Sequence, residues 1–363
     1  MTEQIAILTP TMNRSEFVLR ALQYYSSVGF RGQLVFGDAS RPDERARMHE
    51  YIQRYEGRLR IACHHLEHLP FPNDAYSLKE IIDRTDAPYM VYAGDDDLLV
   101  PKTLQRCAEF LDAHPDYSAA HGKYISYQLP HAGAFGSIVE TNSAPQHVLT
   151  SDSALVRWRG YMRLTLSTQY YVHRKATWRR MYEHLPRVLT RYLGPEVLPC
   201  SISVIDGKVH EIDALSVLFQ VNPVRPFGWN THSAYSLSCE DSWAPAMRGL
   251  KEVVTREIAE RDHLTQSQAE LEFDKEMWRH LLIISQAHYD LRGYDPVNAL
   301  AVFKRRFPKI IRLSQVLRQM RTRRYRGCSL PQLSRPDHPY HDDFAAMRRC
   351  IEHDASAELA TAP

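Results

Sequence analysis

YMVYAGDDDLLVP, residues 89–101, decides how the rest of the chain is read. Tyr89 to Ala93 is an apolar run with the length of a buried strand, and three consecutive carboxylates, Asp95, Asp96 and Asp97, follow it. Pro101 then opens a helix through Leu111, at a position where its missing N–H is not needed. A buried strand ending in acids and handing over to a helix suits an open α/β sheet, whose ligands sit at the carboxyl ends of its strands.

Upstream, Ile5 to Leu8, Gln33 to Phe36 and Leu59 to Cys63 read as further buried strands. Between them, Ser15 to Tyr25, Asp43 to Tyr55 and Asp74 to Arg84 carry apolar residues at helical spacing, with Ser15 expected as an N-cap and Gly29 and Gly32 closing the first helix. This βαβα rhythm predicts a mixed, mostly parallel sheet flanked by helices. Downstream, residues 133–146 read as a long loop. A helix at 153–163, a strand at 169–173, a helix at 175–185 and an apolar run at 197–204 carry the alternation to about residue 225. Past Pro223 and Pro226 the pattern is helical, at 246–261, 266–291, 297–320 and 343–352. The expected division is an α/β domain over 1–225, with halves 1–128 and 129–225, and an α-helical C-terminal region over 226–363.

With 363 residues, 44% hydrophobic and 24% charged, the chain has material for about two folded units, and disorder throughout is excluded. No apolar run reaches membrane-spanning length and the first residues lack a signal-peptide pattern, so a cytoplasmic address is expected. Six cysteines without a CxxC pair suggest neither disulfides nor a thiolate zinc site. Net charge is +2, but residues 304–326 hold ten Lys or Arg and no acid, leaving −8 on the remainder by subtraction. Apolar residues recur in that tract at helical spacing. It suits contact with an anionic membrane surface, or a helix packed on the protein by its apolar stripe.

Polar residues cluster where three strands end: Thr9, Pro10 and Thr11 after the first, Asp38 and Ser40 after the second, and the acid triplet after the fourth. Three adjacent carboxylates raise one another's pKa unless a cation neutralises them. Magnesium or manganese accepts one or two protein carboxylates and fills its other positions with water and phosphate oxygens, which implies a phosphorylated substrate.

ILTPTMNR (5–14), VFGDAS (35–40), Lys79 and YMVYAGDDDLLVP, in that order, resemble the glycosyltransferases of the GT-A fold, specifically the family 2 type, over about residues 5–225. The resemblance implies a GT-A, Rossmann-like fold and transfer of a sugar from a nucleoside-diphosphate donor, expected to be UDP-linked. The acceptor would be a glycan, lipid-linked or protein-linked, reached with inversion. Thr9, Thr11 and Asp38 would contact base and ribose, Lys79 the uracil or diphosphate, and Asp95 the ribose or diphosphate. Pro10, Arg14, Ser40 and Asp96 complete the expected donor site. Asp97, assisted by Asp95 or Asp96, would hold Mn2+ or Mg2+. Many members carry an acid where Gly94 stands here, which leaves the assisting residue open.

Inversion needs a base for the acceptor hydroxyl. The resemblance implies an acid in the acceptor half where Glu196 stands, before the apolar run at 197–204, which favours it; Asp241, in a Glu-Asp dipeptide like those often seen at the family's base, is the alternative, and each also suits a turn or an N-cap. Cys63 to His68, and His338, His341, Asp342 and Asp343, mimic metal clusters but read better as an alternating strand and a solvated linker. His173-Arg174 suits either a phosphate contact or a surface pair. A sugar-phosphate nucleotidyltransferase should carry a glycine-rich phosphate loop, which TPTMNR lacks. A non-catalytic carbohydrate- or nucleic-acid-binding protein gives the acid triplet no purpose, and no nucleic-acid partner is expected.

Overall fold

Strand β1 (Ile5–Thr11) is buried on both faces, with Ile5, Ala6, Ile7 and Leu8 at most 1% exposed. Ile5, Ile7 and Leu8 each contribute about 1.5–3 kcal/mol by leaving water, enough to fix the strand at the middle of a covered sheet. The computed structural model describes residues 2–164, 166–222, 234–292 and 327–353. On one side β1 pairs in parallel with β2 (Gln33–Asp38), and β2 with β3 (Arg60–His65); on the other β1 pairs in parallel with β4 (Tyr89–Tyr92). Helices α1 (Ser15–Ser27), α2 (Pro42–Gln53) and α3 (Asn73–Asp83) connect these strands.

Beyond β4 the sheet continues through β8 (Val172–Arg174), antiparallel to β4, then β6 (Tyr117–Gln128), β9 (Lys208–Gln220) and β5 (Asp97–Leu99). Strand β7 (Glu140–Ala144) pairs antiparallel with β6. Helices α4 (Pro101–Ala113), α5 (Ala154–Leu164), α6 (Lys175–Glu183) and α7 (Leu198–Asp206) cover this half. The result is the expected mixed, mostly parallel sheet flanked by helices.

Three local expectations are corrected, and two long strands go unannounced by the sequence. Strand β7 falls inside the expected loop at 133–146, because its hydrogen bonds come from β6 and no local pattern announces them. Strands β6 and β9 carry His121, Lys123, His210, Glu211 and Asp213, which break the alternation; the Lys123–Glu211 ion pair at 2.5 Å makes two of those charges tolerable inside. The apolar run at 197–204 is mainly helix α7. Arg14, not Ser15, occupies the N-cap of α1, and the Ser15 hydroxyl instead donates to Glu44 at 2.7 Å.

After residue 233 the described chain is helical: α8 (Ala234–Ser238), α9 (Trp243–Asp262), α10 (Gln266–Arg292), α11 (Leu330–Leu333) and α12 (His341–Glu352). Helices α9 and α10 pack on α5 and α7, with the Trp158 and Phe273 rings stacked at 5.5 Å. Helix α12 returns to α1 and β9, burying Phe344, Met347 and Ile351. His338 and His341 therefore belong to a packed segment, where His341 meets the Leu333 carbonyl and Tyr340 donates to Asp213 at 2.7 Å, rather than to a solvated linker. The basic tract 304–326, the helix expected at 297–320 and the boundary at 225 lie outside the described residues. No helix among the described residues is long and apolar enough to cross a membrane.

Candidate active site

The carboxyl ends of β1 and β4 lie side by side because the strands pair in register from Ile5–Tyr89 to Leu8–Tyr92. The turns that follow therefore meet. The Thr11 hydroxyl donates to Asp95 Oδ2 at 2.8 Å, and the Arg14 guanidinium forks across the triplet, bonding Asp95 Oδ1 with one nitrogen and Asp96 Oδ2 with the other at 3.1 Å. Asn222, just beyond β9, donates to the same Asp96 oxygen at 2.8 Å. Asp97 opens β5 and is buried; its Oδ1 accepts from the Gln220 backbone N–H at 3.1 Å and its Oδ2 from the Tyr170 hydroxyl at 2.6 Å. Asp96 is the most open carboxylate of the three, with 21% of its side chain exposed against 6% for Asp95.

A second arginine supports the loop from beneath. Arg20 is fully buried on α1 and donates to the Asp96 carbonyl and to Gln220 Oε1, each at 2.8 Å, and to the Ala134 carbonyl. The Asp95 carboxyl is pushed up to about 6, chiefly by burial; Arg14 pulls it down and Asp96 pushes it up. Desolvation thus outweighs the mutual repulsion expected from the sequence, and a protein cation already answers part of the charge.

Asp38 is the register partner of Thr11 and is fully buried. Its Oδ1 accepts from the Ser40 N–H at 2.9 Å, its Oδ2 has no hydrogen-bond partner, and His65 Nδ1 lies 3.7 Å from that oxygen. The Ser40 hydroxyl accepts from the Asn13 N–H at 2.8 Å, tying the β2 turn to the β1 turn, and Pro10 faces Gly37 across the strand pair. Thr9 lines one small cavity with Asp95 and Asp97. The β1, β2 and β4 residues are thus brought together.

Lys79 is not. It pairs with Asp83 at 3.1 Å and lines a groove between α3 and α6 with Arg179, Arg180 and Tyr182. Glu196 is exposed on a π-helical turn, Leu193–Val197, that leads into α7. Gly194 lets that turn pack closely, since a Cβ there would stand 2.2 Å from the Val188 carbonyl oxygen. The turn is coupled to the triplet through adjacent residues: Gln169 Nε2 donates to the Pro195 carbonyl at 2.7 Å while Tyr170 holds Asp97. Asp241 lies exposed in the turn between α8 and α9, makes no hydrogen bond or ion pair with the triplet, and leaves the α9 N-cap to Ser242.

His173 is neither a phosphate contact nor a surface residue. It is fully buried, hydrogen-bonded to Tyr171 O and Ser203 Oγ at 2.8 Å each, and burial pulls it down to about 3, while Arg174 donates to the carbonyls of Tyr117 and Leu111. In the Cys63 to His68 stretch, His65 pairs with Glu67 at 2.7 Å. Sequence reasoning missed Arg20, Tyr170, Gln220 and Asn222. Arg20 was findable as a cation on the apolar face between Phe17 and Ala21; Gln220 and Asn222 carry no local signal.

Among the described residues no group of three or more His, Cys, Asp or Glu is arranged to enclose a metal. The triplet offers hard carboxylate oxygens only, with a guanidinium standing between Asp95 and Asp96 as a cation does. That donor set fits a magnesium- or manganese-type ion completed by phosphate and water, and does not fit an ion caged by protein.

A mixed α/β sheet in this order, with the acid triplet following β4, has the GT-A type of fold. The crystal structure of S. aureus TarS 1–349 in complex with UDP-GlcNAc aligns with 81% of this chain and 76% of that one, at 14% identity and a TM-score of 0.51. A longer S. aureus TarS structure aligns at 12% identity and a TM-score of 0.47, covering 81% of this chain, which spans 46% of that one. The mannosyltransferase PcManGT from Pyrobaculum calidifontis, in complex with GDP-Man and Mn2+, aligns with 98% of this chain and 87% of that one at 13% identity and a TM-score of 0.42. No family model and no curated protein sequence matches the chain.

Proposed function

We propose that the protein transfers a sugar from a nucleoside-diphosphate donor, UDP-linked, to a glycan or glycoconjugate, with inversion, as a family 2 type glycosyltransferase. The observation that carries this is the meeting of Thr11, Arg14, Asp95 and Asp96 at the carboxyl ends of β1 and β4, beside the buried Asp38. The UDP-GlcNAc held by TarS, which shares the fold, supports the choice of donor.

Asp38 Oδ2, buried without a partner, accepts a base N–H; a buried acceptor left unmade costs about 1–3 kcal/mol, so a uracil imide relieves it. Thr9, Pro10, Thr11 and Ser40 line the ribose side, and Arg14 offers its fork to the diphosphate. Lys79, paired with Asp83 and facing α6, is left out of this donor site. Asp95 and Asp97 are the proposed metal ligands, with Asp96 added because both Asp97 oxygens already accept hydrogen bonds. Bound there, Mn2+ or Mg2+ would offset the charge on the departing diphosphate.

Glu196 takes the proton of the acceptor hydroxyl as that oxygen attacks the anomeric carbon opposite the leaving group. Its coupling to Asp97 through Gln169 and Tyr170 favours it over Asp241. The proposed organisation is a GT-A domain over 1–225, with halves 1–128 and 129–225, and a helical region over 226–363 whose segment 327–353 packs back on both halves, against α1, β7 and β9. We further propose a cytoplasmic enzyme whose tract 304–326 contacts anionic lipid. Liposome flotation tests that contact, and absence of binding to anionic vesicles sinks it.

The deciding experiment is a screen of nucleotide sugars for release of nucleoside diphosphate with and without Mn2+. UDP release from one UDP-sugar, dependent on the ion, is expected. Indifference to every nucleotide sugar refutes the reading.

A further inference from the structure

Arg14 occupies the Asp95–Asp96 side of the position that the proposed function gives to a divalent ion. Its guanidinium bonds Asp95 and Asp96 at once, and its face lies 3.9 Å from the centroid of the Phe17 ring, which supports the cation from behind. Both carboxylates keep other donors, Thr11 on Asp95 and Asn222 on Asp96, so their orientation does not depend on Arg14. Arg14 itself is 28% exposed and can swing outward without unpacking the core, whereas Arg20 is fully buried with its fork committed to the Asp96 and Ala134 carbonyls and Gln220. One arginine is fixed and the other is free to exchange.

We propose that Arg14 is the resident counter-cation of the triplet and that a divalent ion reaches Asp95 and Asp96 only by displacing it. A nucleoside diphosphate supplies the displaced guanidinium with an equivalent pair of anionic oxygens, so ion and nucleotide enter together and the site does not load with metal alone. This rests on the reading of the triplet as a cation site. It adds an order of binding and a residue that enforces it.

The test measures Mn2+ binding to the full chain by the electron paramagnetic resonance of the free ion, with and without UDP, for wild type, Arg14→Gln and Arg14→Lys. Without UDP, Arg14→Gln is expected to bind Mn2+ at least about tenfold more tightly than wild type, the effect of removing one fixed positive charge at contact distance. Arg14→Lys, a point charge without the fork, falls between them. UDP is expected to strengthen Mn2+ binding more in wild type than in Arg14→Gln. Equal or weaker Mn2+ affinity in Arg14→Gln, with Mn2+ and UDP still bound together by wild type, overturns the displacement and leaves the proposed function standing. Failure of wild type and both variants to bind Mn2+ under either condition removes the cation site itself, and the inference with it. If melting shows that Arg14→Gln does not fold, Arg14→Lys decides, and an affinity equal to wild type overturns the proposal.

Discussion

The Tyr170 hydroxyl donates to Asp97 Oδ2 at 2.6 Å, joining residues 73 positions apart and tying the last acid of the triplet to the segment entering β8. Burial and the nearby Asp97 carboxylate hold the Tyr170 hydroxyl well above its usual range, so it stays a donor at every physiological pH. Tyr170→Phe leaves a buried carboxylate oxygen short of its donor and is expected to cost about 1–3 kcal/mol, read from urea denaturation. A stability unchanged within error would mean that the bond contributes nothing to holding Asp97.

The members of the triplet should separate by variant. Asp96 is the open carboxylate, so Asp96→Asn is expected to shift the melting temperature little while weakening Mn2+-dependent UDP binding by about tenfold or more, the worth of one charge-assisted contact. Asp97→Asn should lower both, because Asp97 also receives the Gln220 N–H and the Tyr170 hydroxyl. Thermal melting with and without UDP and Mn2+ checks this, and identical behaviour of the two variants contradicts it.

Glu196→Gln removes the proposed base and keeps the shape of its turn. Donor affinity should persist while kcat falls by about a hundredfold or more, the usual contribution of a general base. Asp241→Asn should turn over normally. Steady-state transfer assays beside UDP-sugar titrations distinguish the two, and the reverse result moves the base to Asp241.

Buried neutral histidines set the acid limit of the fold. Burial pulls His173 down to about 3 and His280 to about 4. Each ring suits its neutral form: His173 donates to Tyr171 O and accepts from Ser203, and His280 donates to Met162 O at 3.2 Å and accepts from Tyr192. Their folded pKa values lie below the unfolded value of about 6.5, so the unfolded chain binds more protons on the acid side. Their contribution to stability is complete above about pH 6.5 and is lost as pH falls toward 4, at up to about 1.4 kcal/mol per pH unit for each ring. Denaturation midpoints over that range test it; His173→Gln should reduce the slope, and an unchanged slope would show that His173 does not contribute.

The sheet-forming half of the chain was legible because its signals are local. Ile5 to Leu8 and Tyr89 to Ala93 are apolar without interruption, and Asp38 and the triplet follow their strands directly. Strands β6, β7 and β9 were not legible. Their polar residues are tolerated through partners far along the chain, as Lys123 is by Glu211.

By itself, the sequence determined the α/β class, the helices expected at 246–261, 266–291 and 343–352 and the collection of Thr9, Thr11, Asp38 and the acids at strand ends, because period and strand termination are properties of neighbouring residues. Only the tertiary structure decided how the triplet is divided, with Arg14 across Asp95 and Asp96 and with Tyr170 and Gln220 on Asp97. It also turned Lys79 toward α6 and carried residues 327–353 back to α1. Hydrogen bonds and charge pairs across long sequence separations depend on which surfaces the packed core brings together, and no local pattern encodes that.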